Sequence, residues 1–152
     1  MRQKPKHGEV YYANLVKDGH VQGGLRPVIV IQNNVGNLHS DVTNVIALTS
    51  YRENKKLLPT HVVIDPSEEN GLPNKSIALV EQIRSIPTDR LVGEPIGKLE
   101  DFYWLPLCAA VIEQIPLLKL ARGVLDEARK QSQRSNFPYQ KSAVRFTARA
   151  AV

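Results

Sequence analysis

Cysteine is nearly absent from this 152-residue chain: Cys108 stands alone. No disulfide can form within the chain, which is usual for proteins of a reducing compartment. Long apolar runs are also missing, since none approaches the ~20 residues that cross a bilayer, and no apolar stretch follows the basic start to suggest a secretory signal. The four histidines lie far apart, without the spacing of metal ligands. We therefore expect a cytoplasmic protein with no membrane span and no structural zinc.

Positive charge is in excess, but it is unevenly placed. The net charge is +5, yet residues 117–152 hold eight Lys and Arg against two acids, whereas residues 1–116 hold twelve against thirteen. The total charge thus does not predict a basic surface on the main domain. To bind a polyanion, the main domain would need a local cluster of cations. The basic tail would then attract the polyanion electrostatically from outside this domain. Solvated basic ends are the equally weighted alternative.

Short β-forming segments dominate residues 9–96. Runs rich in β-branched and aromatic residues alternate with Gly-, Asn- and Pro-rich stretches, and no βαβ alternation is present, which favours a compact antiparallel barrel or sandwich. The region 33–41 is predicted as a turn-rich connection and 51–59 as a basic loop. Strands are predicted over 9–15, 27–32, 44–50, 60–64, 76–86 and 91–96.

The chain changes character after Lys98, where apolar residues recur at helical spacing. Proline is favoured in the first turn of a helix and breaks a helix interior. We therefore expect a helix that begins near Pro106 and breaks near Pro116, followed by a second helical stretch to about residue 131 and a polar, basic tail. The predicted organisation is a basic segment (1–7), a main domain (8–115) and an additional helix with a basic tail (116–152).

Three segments carry possible chemistry. Gln22–Pro27 reads Gln-Gly-Gly-Leu-Arg-Pro and places a guanidinium, with its forked donors for phosphate, beside a flexible loop. Ala47–Ser50 ends an apolar strand in two hydroxyl groups, which can donate to a ligand. Each pattern alone is more typical of an ordinary turn or strand end.

The third segment is Leu79–Arg84, in which Glu81 interrupts an apolar run. A half-buried carboxylate needs a partner, for which Arg26 and Arg84 are candidates. It would serve either as a structural ion pair or as a base tuned by its neighbours. His61, in Leu-Pro-Thr-His-Val, is interpreted as structural.

These segments, in this order, resemble the MazF/PemK family of type II toxin-antitoxin endoribonucleases over residues ~7–115. No single segment is specific, but their joint order and loop spacing are. The matching segments are Gly8–Ala13, Gln22–Asn33, Val45–Ser50, Leu58–Val62 and Ser76–Arg84.

The resemblance implies a mainly β fold, a small SH3-like antiparallel barrel of the MazF, PemK and CcdB kind with a C-terminal helix, working as a homodimer. It also implies a toxin that a cognate antitoxin neutralises. The implied activity is metal-independent, cofactor-free and sequence-selective cutting of single-stranded RNA, chiefly mRNA. The 2′-hydroxyl attacks its own phosphate and leaves a 2′,3′-cyclic phosphate and a 5′-hydroxyl.

By the same resemblance, Arg26 would clamp the scissile phosphate and Thr49 would hydrogen-bond it. Glu81 and His20 would take the proton-transfer roles. The segments also suggest residues that bind substrate, namely Gln22, Gly23, Gly24, Ser50, Lys55, Lys56, Gln82 and Arg84.

The chain departs from the family pattern at two positions. Val21 replaces the usual loop acid, and Leu79 stands where some relatives have an arginine. Two other functions stay open: a toxin of the same fold that binds DNA gyrase without cutting RNA, and a non-catalytic RNA-binding barrel.

Overall fold

The computed structural model describes residues 3–117 of the chain. This part of the chain contains seven strands and two helices. The strands are β1 (Glu9–Leu15), β2 (Gly24–Val30), β3 (Val42–Ser50), β4 (His61–Ile64), β5 (Ser76–Leu79), β6 (Arg84–Pro87) and β7 (Leu91–Lys98). The helices are α1 (Asn34–His39) and α2 (Trp104–Gln114), and short 3-10 turns cover Val80–Gln82, Thr88–Arg90 and Asp101–Tyr103.

The strands pair antiparallel in the spatial order β4-β5-β3-β2-β1-β7, and β6 branches from β3. The nine-residue strand β3 therefore pairs with β2, β5 and β6. Among residues 3–117, β4 and β7 are the outer strands of this path and no pairing between them closes the sheet. The mainly β, antiparallel fold with a C-terminal helix is confirmed, but the described pairings do not close the expected barrel.

Apolar side chains cover both faces of the central strands, because β2 and β3 are near-continuous β-branched runs. One face, with Ile29, Ile46 and Leu48, packs against α2 through Leu107. The other face forms a second cluster around Tyr11, Leu15, Val28, Val45 and Leu91. The central strands β2 and β3 are thus packed between two apolar clusters, and this packing fixes the positions of the residues at their ends.

Helix α1 corrects the prediction of a turn-rich connection over 33–41. The Asn33 side chain caps it by accepting a hydrogen bond from the Gly36 N–H at 2.7 Å. The buried Asn37 side chain donates to the Gln32 carbonyl and accepts from Thr43. Asparagine and glycine are typical of turns, and here asparagine acts instead as a helix cap.

Two other boundaries differ from the sequence prediction. The strand expected over 76–86 is two strands, β5 and β6, separated by the Val80–Gln82 turn, so Glu81 lies in that turn. The helix α2 begins at Trp104, with Pro106 in its first turn as expected. The predicted second helix to about residue 131 falls outside the described residues except for its first position, and the tail that follows it lies wholly outside them. No helix within residues 3–117 is long and apolar enough to cross a membrane.

Candidate active site

Arg26 and Thr49 lie on neighbouring strands, at the ends where β2 begins and β3 finishes. Val28 pairs with Ala47 and Val30 with Val45. Extending this antiparallel register by two residues places Arg26 opposite Thr49. Because side chains alternate along a strand, both continue the face that carries Val28 and Ala47 in the core. The arginine and the hydroxyl therefore emerge side by side where the apolar face ends.

A cavity of about 510 Å³ opens at this point. It is polar and strongly positive, with three cationic side chains and no acidic residue in its lining. Such an arrangement suits an anion such as a phosphate of a nucleic-acid backbone. The lining residues are Gln22, Arg26, Thr49, Ser50, Arg52, Asn54 and Lys55.

The Arg26 side chain is held by one hydrogen bond. Its Nε donates to the carbonyl oxygen of Gly23 at 2.8 Å. The chain turns tightly here, since Gly24 has φ +81°, a conformation that glycine adopts readily, and a Cβ on Gly23 would lie 2.3 Å from the Lys17 Cβ. The two glycines thus let the loop fold back against β2 and orient the guanidinium.

The loop over residues 16–23 is also tied to the segment that follows β5. The Gln22 backbone N–H donates to Oε1 of Gln82 at 2.8 Å, and the Arg84 guanidinium donates to the carbonyls of Gln22 and Val16. Burial lowers the pKa of Arg84 from its ordinary value, and its Nε is buried without a partner among residues 3–117. Gln82 and Arg84 therefore hold the loop, a contact that the sequence did not indicate.

The other predicted residues are placed differently. His20 is exposed in a turn and does not line the cavity, and neither does the exposed Lys56. Glu81 does not line it either: its carboxylate accepts hydrogen bonds from Nε2 of His61 at 2.9 Å and from Oγ1 of Thr60 at 3.1 Å. The predicted arginine partners of Glu81 are wrong, and its partner is a histidine interpreted as structural.

Arg52 and Asn54 were not predicted as site residues from the sequence, although both line the cavity. They belong to the basic loop, which the structure extends over residues 51–60 between β3 and β4. The sequence did give one indication that this loop borders the site, because the loop follows directly after the end of β3 that carries Thr49 and Ser50. Which residues of such a loop face a cavity depends on its backbone course, and that is not readable from composition.

A larger open groove, of about 620 Å³, lies between β4 and α2, away from these residues. Its walls include Val62, Phe102 and Ala109 and are mostly apolar, with Glu113 and His61 as the ionisable groups. Apolar walls do not recognise a polyanion. The smaller basic cavity is therefore the candidate active site.

Comparison with known proteins points to the same part of the chain. The family described as "PemK-like, MazF-like toxin of type II toxin-antitoxin system" matches residues 6–115. The chain is 45% identical to Endoribonuclease EndoA of Bacillus subtilis over 97 residues, which are 63% of this chain and 81% of that protein. It is also 45% identical to Endoribonuclease MazF of Staphylococcus saprophyticus over 87 residues, 57% of this chain and 71% of that protein.

A solved structure shares the fold. An endoribonuclease from a mycobacterial species, in complex with its cognate antitoxin, matches with a TM-score of 0.58 and 24% identity. The match covers 74% of this chain and 96% of that chain.

Proposed function

Because this chain belongs to the PemK-like, MazF-like toxin family of type II toxin-antitoxin systems, we propose that it is an endoribonuclease that cuts single-stranded RNA, chiefly mRNA, without a metal ion. Two relatives that are 45% identical are named endoribonucleases. The observation that carries the proposal is the shared position of Arg26 and Thr49 at one basic cavity.

The cavity supports a reaction in which the RNA supplies its own nucleophile. The 2′-hydroxyl oxygen attacks the adjacent phosphorus, the bond from phosphorus to the 5′ oxygen breaks, and a 2′,3′-cyclic phosphate and a 5′-hydroxyl result. Negative charge grows on the phosphate oxygens as the new bond forms. Preorganised donors aimed at these oxygens are the largest usual source of rate enhancement. Arg26 would supply forked donors and Thr49 a hydroxyl.

Two proton transfers complete the reaction: the 2′-hydroxyl loses a proton and the 5′ oxygen gains one. The Arg26 guanidinium keeps its proton near neutral pH, so we assign it to charge stabilisation and not to proton removal. His20 remains the sequence-based candidate for one transfer. Gln22, Gly23, Gly24 and Ser50 would contact the nucleotides next to the scissile phosphate.

The cations of the basic loop would bind the flanking phosphates. Arg52 and Lys55 line the same cavity as Gln22 and Arg26, so an RNA strand bound there would place its backbone against these cations. Affinity for RNA would then come mostly from phosphate contacts. Preference for an RNA sequence would come from the other polar residues of the cavity, which can contact the bases.

We propose further that the chain forms an SH3-like barrel as a homodimer in the cytoplasm, where mRNA is accessible, and that a cognate antitoxin neutralises it. The similar mycobacterial endoribonuclease was solved with its cognate antitoxin. The antitoxin would compete with RNA by placing acidic groups in the basic cavity.

The test is cleavage of a long unstructured transcript in EDTA, with the ends of the products identified. We expect defined cuts with 2′,3′-cyclic phosphate and 5′-hydroxyl ends. Loss of cutting in EDTA contradicts the metal-independent mechanism. Intact RNA together with capture of DNA gyrase favours the gyrase-binding alternative, and salt-sensitive binding without cutting favours a non-catalytic RNA-binding barrel.

A further inference from the structure

We infer that Glu81 is a positioning residue that holds the basic loop through His61, and that it is not the general base of RNA cleavage. The inference deepens the proposed function and rests on it for the reaction concerned. The basic loop supplies Arg52, Asn54 and Lys55 to the candidate active site. Whatever fixes the course of this loop therefore fixes part of the site.

The basic loop is fastened at both ends. At its start, the Tyr51 N–H donates to the Lys75 carbonyl at 2.9 Å. At its end, the His61 N–H donates to the Leu58 carbonyl at 2.9 Å, and the Leu58 N–H donates to Nδ1 of His61 at 3.1 Å. Both backbone polar groups of Leu58 are thus bonded to one histidine.

These contacts determine where the histidine carries its proton. A backbone N–H can only donate, so Nδ1, which accepts from Leu58, has no hydrogen. The proton is on Nε2, which donates to Oε1 of Glu81 at 2.9 Å. The carboxylate selects the tautomer that accepts from the loop, in the way that a hydrogen bond to one ring nitrogen sets the role of the other.

Both carboxylate oxygens of Glu81 accept hydrogen bonds from the end of the basic loop and the start of β4. Its second oxygen, Oε2, accepts from Oγ1 of Thr60 at 3.1 Å. The Glu81 side chain is 26% exposed and that of His61 only 4%, so the pair is largely shielded from water. A general base must reach the proton that it removes, whereas this carboxylate points to the far end of the basic loop and does not line the cavity.

The neighbouring residue has the matching role for the other loop. Gln82, in the same 3-10 turn, accepts from the Gln22 N–H, while the Val80 N–H donates to the Thr60 carbonyl at 3.1 Å. Two consecutive side chains, Glu81 and Gln82, thus hold the two loops that flank the cavity.

The substitution Glu81→Gln distinguishes a positioning role of Glu81 from a role as the general base. A glutamine can accept from His61 through Oε1 and donate to Thr60 through Nε2, so it preserves both contacts but has no basicity. We expect transcript cleavage by Glu81→Gln within about threefold of wild type and an unchanged pH profile. A general base contributes about 10²–10⁴-fold. A kcat that falls more than a hundredfold at unchanged KM, with loss of the acid limb of the profile, would overturn the inference.

Glu81→Ala and His61→Ala remove the contacts themselves. We expect each to raise KM for the transcript and to lower kcat/KM about tenfold or more, because displaced binding groups weaken both binding and alignment. The double variant should lose no more than the worse single variant, since both act through one interaction. Additive losses would contradict the inference. Glu68→Ala, an exposed acid elsewhere, is the control for lost charge.

Hydrogen-deuterium exchange of the full chain tests the loop without RNA. The Leu58 amide should exchange faster in Glu81→Ala and His61→Ala than in wild type, and at the wild-type rate in Glu81→Gln. Equal exchange in all four proteins would overturn the inference even if RNA is cut. If wild type cuts no RNA, the proposed function fails, and the exchange data still decide whether Glu81 holds the loop.

Discussion

Arg26 donates from Nε to the carbonyl oxygen of Gly23 at 2.8 Å, so the innermost nitrogen of its guanidinium is fixed by the loop beside it. Within residues 3–117 the two outer nitrogens have no hydrogen-bond partner. Arg26 and Thr49 line the same cavity. A guanidinium held in this way presents a forked donor at a fixed angle, which is the geometry that a phosphate accepts.

Arg26→Lys is the first prediction from this arrangement. Lysine keeps the charge but has neither the Nε donor for Gly23 nor a fork for phosphate. We expect transcript cleavage to fall about 10²–10³-fold, as when one preorganised transition-state donor is removed. Single-turnover cleavage in EDTA measures this effect.

The control for this variant is Arg90→Lys, at an exposed position away from the cavity. It should cut at the wild-type rate. Both variants should melt at the wild-type temperature, since Arg26 is not part of the buried core. Cleavage by Arg26→Lys at the wild-type rate would contradict the proposal that the forked donors of Arg26 bind the phosphate.

Thr49→Val tests the hydroxyl. Valine has nearly the same shape, and β3 favours branched side chains, so the strand should fold normally. We expect cleavage to fall at least tenfold because one donor to the phosphate is lost. Thr49→Ser should recover most of the rate, and a rate for the valine variant equal to wild type would exclude a role for the hydroxyl.

Arg52→Ala tests the basic loop as a phosphate-binding surface. Each lost phosphate contact lowers the slope of log K against log salt concentration by about 1. We expect that change in the binding of a 2′-deoxy version of the transcript, which has no nucleophile and cannot be cut. Lys56→Ala, in the same loop but outside the cavity lining, should change the slope less. Equal effects of the two variants would show that the loop acts through its general charge.

Glu100 provides a prediction about stability and pH. The carboxyl is buried, at 9% exposure, and accepts hydrogen bonds from Ser67 and Asn70. Burial alone would raise the pKa of Glu100, but the hydrogen bonds from Ser67, its own backbone and Asn70 outweigh burial and lower it. A lowered folded-state pKa stabilises the fold above the unfolded-state pKa, and this contribution is lost as pH falls through the folded-state pKa.

We therefore expect the unfolding free energy of wild type to decline below about pH 4.5, the region in which a glutamate of the unfolded chain takes up its proton. Glu100→Gln should unfold with about 1–2 kcal/mol less free energy at pH 7, and its decline in acid should be shallower. Urea unfolding between pH 3 and 7 measures both effects. The control is Glu94→Gln, at an exposed position, and parallel curves for wild type and Glu100→Gln would contradict the prediction.

The sequence predicted most of the strands well, because strands depend on local pattern. The β-branched runs around Val28 and Val45 identify central strands, and Arg26 and Thr49 stand at the ends of such runs. Contacts between distant segments were harder to predict. Glu81 was expected to pair with an arginine, and its real partner, His61, lies 20 residues away in an unrelated segment.

The basic loop shows the same limit. Its cations were visible in the sequence, but Lys55 lines the cavity and Lys56 does not. The difference depends on the course of the loop backbone. Composition alone cannot distinguish two adjacent lysines. The helix α1 was missed for a related reason, since Asn33 is equally common in a turn and at a helix cap.

Strand β3 pairs along its length with β2, β5 and β6. These pairings restrict the motion of β3 more than that of the two loops around the cavity. The end that carries Thr49 pairs with β5 through Leu48, Thr49 and Ser50, so releasing it would break that ladder, which costs more free energy than opening an exposed loop. Any adjustment to an incoming molecule is therefore confined to the two surrounding loops. Substitutions in those loops can alter which molecules are accepted while the paired strands that carry Arg26 and Thr49 stay unchanged.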